Sequence, residues 1–121
     1  MLLQVLKSKI HRATVTEANL HYEGSITLDG ALMEAAGLYT NEMVHIWDAT
    51  SGNRLYTYVM PPAPKGSGVV CINGAAAHLI QKGHIVIITS FVNVTKEELD
   101  GHLPNKVIVD NNNKIVTVKN V

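Results

Sequence analysis

The chain has 121 residues, in which ten Lys or Arg balance ten Asp or Glu, and a single cysteine. That length suits one domain burying roughly two thirds of its unfolded surface, while a formal charge of zero lacks the basic surplus of a nucleic-acid or anionic-membrane binder. One cysteine cannot close an internal disulfide, no apolar run is long enough to span a bilayer, and Lys7 and Lys9 lie inside the first apolar stretch, unlike a signal peptide, so a cytoplasmic protein is expected.

Residues 2–7 and 10–16 are rich in Leu, Val, Ile and Thr and read as strand, with Lys7-Ser8-Lys9 as a break or bend between them and Lys9 and His11 on one face. A short β-prone run follows Gly24-Ser25. Asp29 then caps a helix over residues 31–36 that Gly37 ends. Residues 43–49 and 54–60 flank the turn-forming Thr50-Ser51-Gly52-Asn53 and form a hairpin. Residues 61–68 hold three prolines and two glycines, which keeps them out of any sheet interior. A strand over 69–72, carrying Cys71 into the core, leads to a tight Asn73-Gly74 turn and a short helix over 75–82 stopped by Gly83.

Residues 84–94 form the most apolar strand and belong in the middle of the core. Thr95-Lys96-Glu97-Glu98 fits a capping box. The last hairpin pairs 106–109 with 114–118 around Asp110-Asn111-Asn112-Asn113, a turn that favours positive φ. Many short strands with few, short helices predict a mainly β fold, a small closed barrel.

Two stretches carry chemistry. In His21-Tyr22-Glu23-Gly24-Ser25, a glycine leaves its carbonyl unshielded before a serine hydroxyl. Attack of that hydroxyl on the Gly24 carbonyl gives an ester, elimination leaves dehydroalanine, and hydrolysis leaves a chain that begins with a pyruvoyl group. The same tripeptide is also the composition of an ordinary turn. In Arg54-Leu55-Tyr56-Thr57-Tyr58, alternation places Arg54, Tyr56 and Tyr58 on one face and Thr57 on the other. That pattern serves a solvated strand face equally well. Lys9 and Arg54 are cations able to hold carboxylates. The six histidines have no zinc-ligand spacing and the cysteine has no CxxC partner, so no metal is expected. GxSxG, GxGxxG and Walker patterns are missing. Trp47 reads as core or pocket wall.

Taken together, Lys9-Ile10-His11-Arg12, His21 to Ser25, Ile46-Trp47, Arg54 with Thr57-Tyr58, and Asn73-Gly74-Ala75-Ala76-Ala77-His78 closely resemble the bacterial pyruvoyl-dependent aspartate 1-decarboxylases, over residues 1 to about 95. The resemblance implies a double-psi β-barrel and a homotetramer with sites between subunits. It also implies self-cleavage into a β chain, 1–24, and an α chain, 25–121, with a maturation factor needed in some members. By matched position, Ser25 becomes the covalently bound pyruvoyl group and Gly24 the end of the β chain. Thr57 holds the Gly24 carbonyl and later touches substrate, and Tyr58 donates a proton. Lys9 and Arg54 bind carboxylates of L-aspartate, and Asn73, Gly74, Ala75 and Ala76 line the pocket, with His11, Tyr22 and Trp47 nearby. Tyr56 receives no role.

On that reading the ketone condenses with the aspartate amine as a Schiff base and draws electrons from the Cα–carboxylate bond. Carbon dioxide leaves, and β-alanine passes to pantothenate and coenzyme A synthesis. Two other readings compete on sequence alone: a non-catalytic oligomeric β-barrel whose Gly-Ser is only a turn, and a DNA-binding barrel, which the neutral charge opposes.

Overall fold

The computed structural model describes all 121 residues, Met1–Val121. Nine strands dominate it: β1 (Leu2–Thr14), β2 (Glu17–Asn19), β3 (Ile26–Leu28), β4 (Met43–Asp48), β5 (Arg54–Tyr58), β6 (Val70–Asn73), β7 (Ile85–Thr95), β8 (Asn105–Val109) and β9 (Ile115–Lys119). Only two short α-helices occur, α1 (Gly30–Ala36) and α2 (Lys96–Leu99). A six-stranded sheet runs β5-β4-β7-β1-β8-β9 and a three-stranded sheet runs β2-β6-β3. Its pairings are antiparallel except β1 with β8 and β2 with β6.

The small sheet is tied to the chain segments that continue β1 and β5 of the large one. On one side the Thr16 N–H donates to the Val70 carbonyl at 2.8 Å, and the Val70 N–H donates to the Thr16 hydroxyl at 2.9 Å. On the other, the chain leaving β5 bridges Ile26 through Val59, and the Met60 N–H reaches the Ile26 carbonyl at 2.9 Å. The two sheets thereby wrap a barrel-like core in which Ile10, Ile46 and Ile88 from the large sheet meet Ile26 and Ile72 from the small one. These five are essentially fully buried, each contributing about 1.5–3 kcal/mol of burial free energy. α1 adds Leu32, Met33 and Ala36.

Several expectations hold in detail. Asp29 caps α1 through the Ala31 N–H, and Gly37 ends it with a left-handed backbone. The capping box at Thr95 and Glu98 is present with both of its hydrogen bonds. β4 and β5 form the expected hairpin, and β7 lies inside the large sheet beside β1.

Three details differ. β1 does not break at Lys7-Ser8-Lys9; it runs through, with its register slipping between Leu6 and Ser8 and again between Ile10 and Ala13. Each slip accommodates one extra residue as a bulge. This keeps Ser8, Ile10 and Ala13 buried, while Lys7 swings out to both carboxylate oxygens of Glu42 at 2.9 and 2.8 Å. The helix expected over 75–82 is only a 3₁₀ turn, Gly74–His78. Its would-be cap, Asn73, makes no side-chain capping bond, and Ile80 is drawn fully into the core. Cys71 is half-buried instead of core.

Two buried polar residues hold the loops to this frame. The Asp29 carboxylate accepts N–H bonds from Ala31 (2.8 Å), Gly66 (3.0 Å) and Gly68 (2.9 Å), fastening the proline-rich loop to α1. Burial alone would push this carboxyl up, but those N–H groups and the Lys114 cation outweigh it and hold the pKa below the ordinary value. Asn113, with φ 60, takes the Thr14 N–H on its side-chain oxygen and donates to the Thr14 and Gly68 carbonyls, all at 2.8 Å.

Asn113→Ala leaves three backbone groups without partners and should cost about 2–4 kcal/mol in denaturant unfolding. Asp29 has a depressed folded pKa, so its contribution is complete above the unfolded value near about 4 and is lost as pH falls through the folded value. Asp29→Asn turns an amide donor toward backbone donors. It should lower stability at pH 7 and flatten its decline below about pH 4, as read from unfolding curves across pH.

Candidate active site

The chain crosses from surface to core at Gly24-Ser25. Leu20, His21, Tyr22 and Glu23 are exposed, whereas Ser25, Ile26 and Leu28 are buried. Burial of Ile26 and Leu28 pulls β3 inward and carries Ser25 with it. The Ser25 carbonyl then accepts the Asn73 N–H at 2.8 Å. A cavity of about 350 Å³ opens at this point, with Gly24, Ser25, Thr57, Asn73, Ala75 and Ala76 in its lining. The small side chains of Ala75 and Ala76 leave it open.

Two further residues touch the Gly24 backbone. Gly74, at φ +66, starts the 3₁₀ turn so close that a Cβ there would lie 3.4 Å from Gly24 N and from the Tyr22 carbonyl oxygen. On another side, a Cβ on Gly24 would lie 2.8 Å from the Tyr58 hydroxyl oxygen. Gly24, Ser25, Thr57, Tyr58, Asn73, Gly74, Ala75 and Ala76 are therefore neighbours within one subunit.

Lys9, Trp47 and Arg54 belong to a second grouping, on the outer face of the large sheet. Register places Lys9, Thr89, His45 and Tyr56 in one row and Ile87, Trp47 and Arg54 in the next. The Arg54 guanidinium lies 4.4 Å from the Trp47 ring centre, a cation–π geometry that holds an otherwise exposed cation in place. His45 packs edge-on against Phe91 at 5.5 Å and lies 5.8 Å from the Tyr56 ring. Gln4, His45, Trp47 and Arg54 line a cavity of about 410 Å³. Leu55 and Tyr56 border both cavities and form the wall between them. The alternation expected for β5 is present: Arg54, Tyr56 and Tyr58 are exposed, and Leu55 and Thr57 are half-buried.

His11 is half-buried with Nδ1 lacking a partner. Burial first, then the Lys9 and Arg12 cations, lowers its pKa and favours the neutral ring. The side chain of Tyr22 is exposed and borders a separate cavity of about 280 Å³ beside Asn19, Thr27 and Cys71. No three His, Cys, Asp or Glu side chains converge on one point.

Sequence reasoning did not foresee how Asn73 is held. Its amide donates to the Thr27 hydroxyl at 3.1 Å and accepts from the Cys71 thiol at 3.1 Å. Burial first, then Glu17, pushes the Cys71 thiol up, keeping it a protonated donor. The i, i+2 spacing of Cys71 and Asn73 hints at a shared face. Only the pairing of Thr27 opposite Cys71 reveals the third member. His45 and Phe91 were likewise not anticipated in the second cavity, although His45 shares the Trp47 face of β4 by alternation.

Comparison with known proteins gives one consistent answer. The family described as aspartate decarboxylase matches residues 1–116, beyond the 95 residues on which the motifs lie. An aspartate 1-decarboxylase of Caldicellulosiruptor saccharolyticus is 56% identical over 120 residues, covering 99% of this chain and 93% of its own. Proteins of the same name from Neisseria meningitidis and Mycolicibacterium smegmatis are 55% and 57% identical. They match 95% and 94% of this chain and 90% and 83% of their own lengths.

Proposed function

Since the chain belongs to the aspartate decarboxylase family, we propose that it becomes active by cutting itself between Gly24 and Ser25, leaving chains 1–24 and 25–121. Its reaction is removal of the α-carboxylate of L-aspartate as carbon dioxide to give β-alanine, the family's route into pantothenate synthesis. The observation that carries the cleavage reading is a buried serine placed directly after a glycine, both in the lining of a cavity shared with Thr57.

Cleavage balances without a metal or an outside oxidant. The Ser25 hydroxyl attacks the Gly24 carbonyl, the Gly24–Ser25 amide bond breaks, and an ester with a free Ser25 amine results. Loss of the Ser25 α-proton expels the Gly24 carboxylate from Cβ and leaves dehydroalanine. Water then replaces the amine, ammonia departs, and residue 25 ends as a pyruvoyl group. Thr57, which the family resemblance makes the holder of the Gly24 carbonyl during attack, lines the same cavity as Gly24.

The pocket suits such a group. Its amide carbonyl would be that of Ser25, already held by the Asn73 N–H, and Ala75 and Ala76 leave room beside it. A pyruvoyl group supplies a ketone that condenses with a primary amine and accepts the electron pair released with carbon dioxide. The chain's own residues do the rest. Arg54, braced by Trp47, and Lys9 orient the dicarboxylate. The Tyr58 phenol, beside residue 24, returns a proton to the carbon that lost carbon dioxide.

Arg54 lies on the far side of the Leu55–Tyr56 wall from Ser25, and Lys9 is in register with His45 on the same sheet face. This supports a homo-oligomer, a tetramer by family resemblance, in which the outer face of one subunit completes the serine cavity of its neighbour. The exposed apolar surface of Met43, Tyr56, Tyr58 and Phe91 is consistent with that burial. No helix is long and apolar enough to cross a membrane.

Intact-mass spectrometry with a carbonyl-reactive hydrazide should find fragments 1–24 and 25–121, the larger one labelled at its N-terminus. Ser25→Ala should give one unlabelled, inactive chain, and decarboxylation by that variant would refute the proposal. Thr57→Val should stall cleavage. Tyr58→Phe should cleave and then turn over about 10²–10⁴-fold more slowly. Loss of the Trp47 platform removes about 0.5–2 kcal/mol of cation–π stabilisation. Trp47→Leu should therefore raise KM for aspartate roughly 2- to 30-fold with little change in kcat, and Trp47→Phe should recover part of it.

A further inference from the structure

Arg54 is the first residue of β5, and β5 is an edge strand of the large sheet. Its one strand neighbour there is β4, where Arg54 pairs with Trp47 on the rung next to the turn. Trp47 is held from both sides, since β4 also pairs with β7 through Ile87. Arg54 has no second strand. The rung beside a loose turn is the first to open, so the place of the guanidinium depends on the turn over residues 48–53.

That turn is built on one buried carboxylate. Asp48 is 2% exposed, and its Oδ1 accepts the N–H groups of Thr50 at 2.9 Å and Ser51 at 3.2 Å. Its main chain closes the same loop, donating to the Asn53 carbonyl and accepting from the Gly52 N–H, both at 2.8 Å. The other carboxylate oxygen lies 2.5 Å from His84 Nδ1, which must carry its proton to approach a carboxylate so closely. The Gln81 N–H, 3.5 Å from that nitrogen, does not compete. Burial alone would push the Asp48 carboxyl up, but the bonds from His84, Ser51 and Thr50 outweigh it and hold its pKa below the ordinary value. The segment carrying His84 is stitched to the turn twice more: the Ile85 N–H donates to the Thr50 hydroxyl at 2.9 Å, and the Ala49 N–H to the Ile85 carbonyl at 2.8 Å.

We propose that the Asp48–His84 pair is a positioning device for substrate binding: by fixing the 48–53 turn it keeps Arg54 against Trp47 and aimed at a substrate carboxylate. Neither residue lines the serine cavity or the Trp47–Arg54 cavity, so both act through Arg54. Loss of His84 strands a buried carboxylate. Turning that carboxylate toward water would release the Thr50 and Ser51 N–H groups, and the Trp47–Arg54 rung would open with them.

The inference rests on Arg54 as a carboxylate binder, and its tests separate the two ideas. In cleaved protein, His84→Ala should raise KM for aspartate about 3- to 30-fold with kcat within about threefold of the parent. The amide nitrogen of an asparagine stands as many bonds from the backbone as His84 Nδ1, so His84→Asn should recover most of the loss. Asp48→Asn/His84→Ala lacks the link but strands no charge. It should fold even where His84→Ala does not, and still show a raised KM. A parent-like KM in the variants that lack the link, or a His84→Asn chain that regains the parent's unfolding midpoint but not its KM, overturns the proposal.

The second measurement needs no activity. Trp47 is the only tryptophan, so its emission reports on the rung directly, even in the uncuttable Ser25→Ala chain. Adding His84→Ala, or the Asp48→Asn/His84→Ala pair, should move Trp47 emission to longer wavelength and increase its quenching by acrylamide, with circular dichroism unchanged, and His84→Asn should reverse both. Unaltered emission and quenching overturn the brace itself. A parent-like KM in Arg54→Gln overturns the role of Arg54 and with it the consequence for substrate, but not the brace.

Discussion

The site depends on where the chain enters the core. Ile26 and Leu28 have no exposed surface, and two successive carbonyls, Ser25 and Ile26, are fixed by the N–H groups of Asn73 and Met60. Residues 20–23 are exposed. Ser25 is therefore held by the hydrophobic core and by sheet hydrogen bonds, forces indifferent to its chemistry, while the residues before it are held far less. A reactive serine positioned this way needs no additional ordering cost at the moment of attack. The Gly24–Ser25 bond, the proposed cleavage site, lies at the boundary between the exposed and the buried segments.

A second constraint is the period-two geometry of β5. Thr57 and Leu55 face inward, and Arg54, Tyr56 and Tyr58 face outward. One five-residue strand thus lines both candidate cavities, with Leu55 and Tyr56 bordering each. A slip of one residue would exchange them all, but the register is fixed by pairing with β4, whose Val44 and Ile46 are fully buried. Core packing that looks purely structural is what keeps an inward hydroxyl beside Ser25 and an outward guanidinium over Trp47.

The parts legible in sequence were those governed by local rules. The Asp29 cap and Gly37 stop of α1, the Thr95–Glu98 capping box, the β4–β5 hairpin and the alternation along β5 all follow from residue preferences within one or two turns. The parts that were not legible depend on distant partners. The bulges in β1 exist because β7 and the core demand Ser8, Ile10 and Ala13 inside, and Lys7-Ser8-Lys9 carries no mark of that. The helix over 75–82 shrank to a 3₁₀ turn because Ile80 belongs to the core and Asn73 is already committed to Thr27 and Cys71. Asn113 read as a turn residue; that its side chain ties Thr14 to Gly68 required residues 99 and 45 positions away. The residues of the candidate site could be named from motifs, but their division into a serine cavity and an outer face could not. Spacing reveals which face a residue takes, not what that face meets.

Charge makes the same point at longer range. Overall neutrality argued against a polyanionic partner, yet it says little about a small dicarboxylate, which responds to the field over a few ångströms. Cations gather where β1 pairs with β8 inside the large sheet: Lys9 lies beside Lys106 across the parallel pairing, with His11 and Arg12 next along β1. Adding a protonated imidazole there would place another cation in a half-buried setting, and burial together with Lys9 and Arg12 keeps His11 neutral instead. The positive character of this pairing therefore rests on Lys9, Lys106 and Arg12 and not on His11. Balanced acidic residues elsewhere, such as Glu42 on Lys7 and Glu34 on Lys65, neutralise other cations in pairs. Lys9 and Arg54 stand in no such pair, as their proposed role toward a dicarboxylate requires.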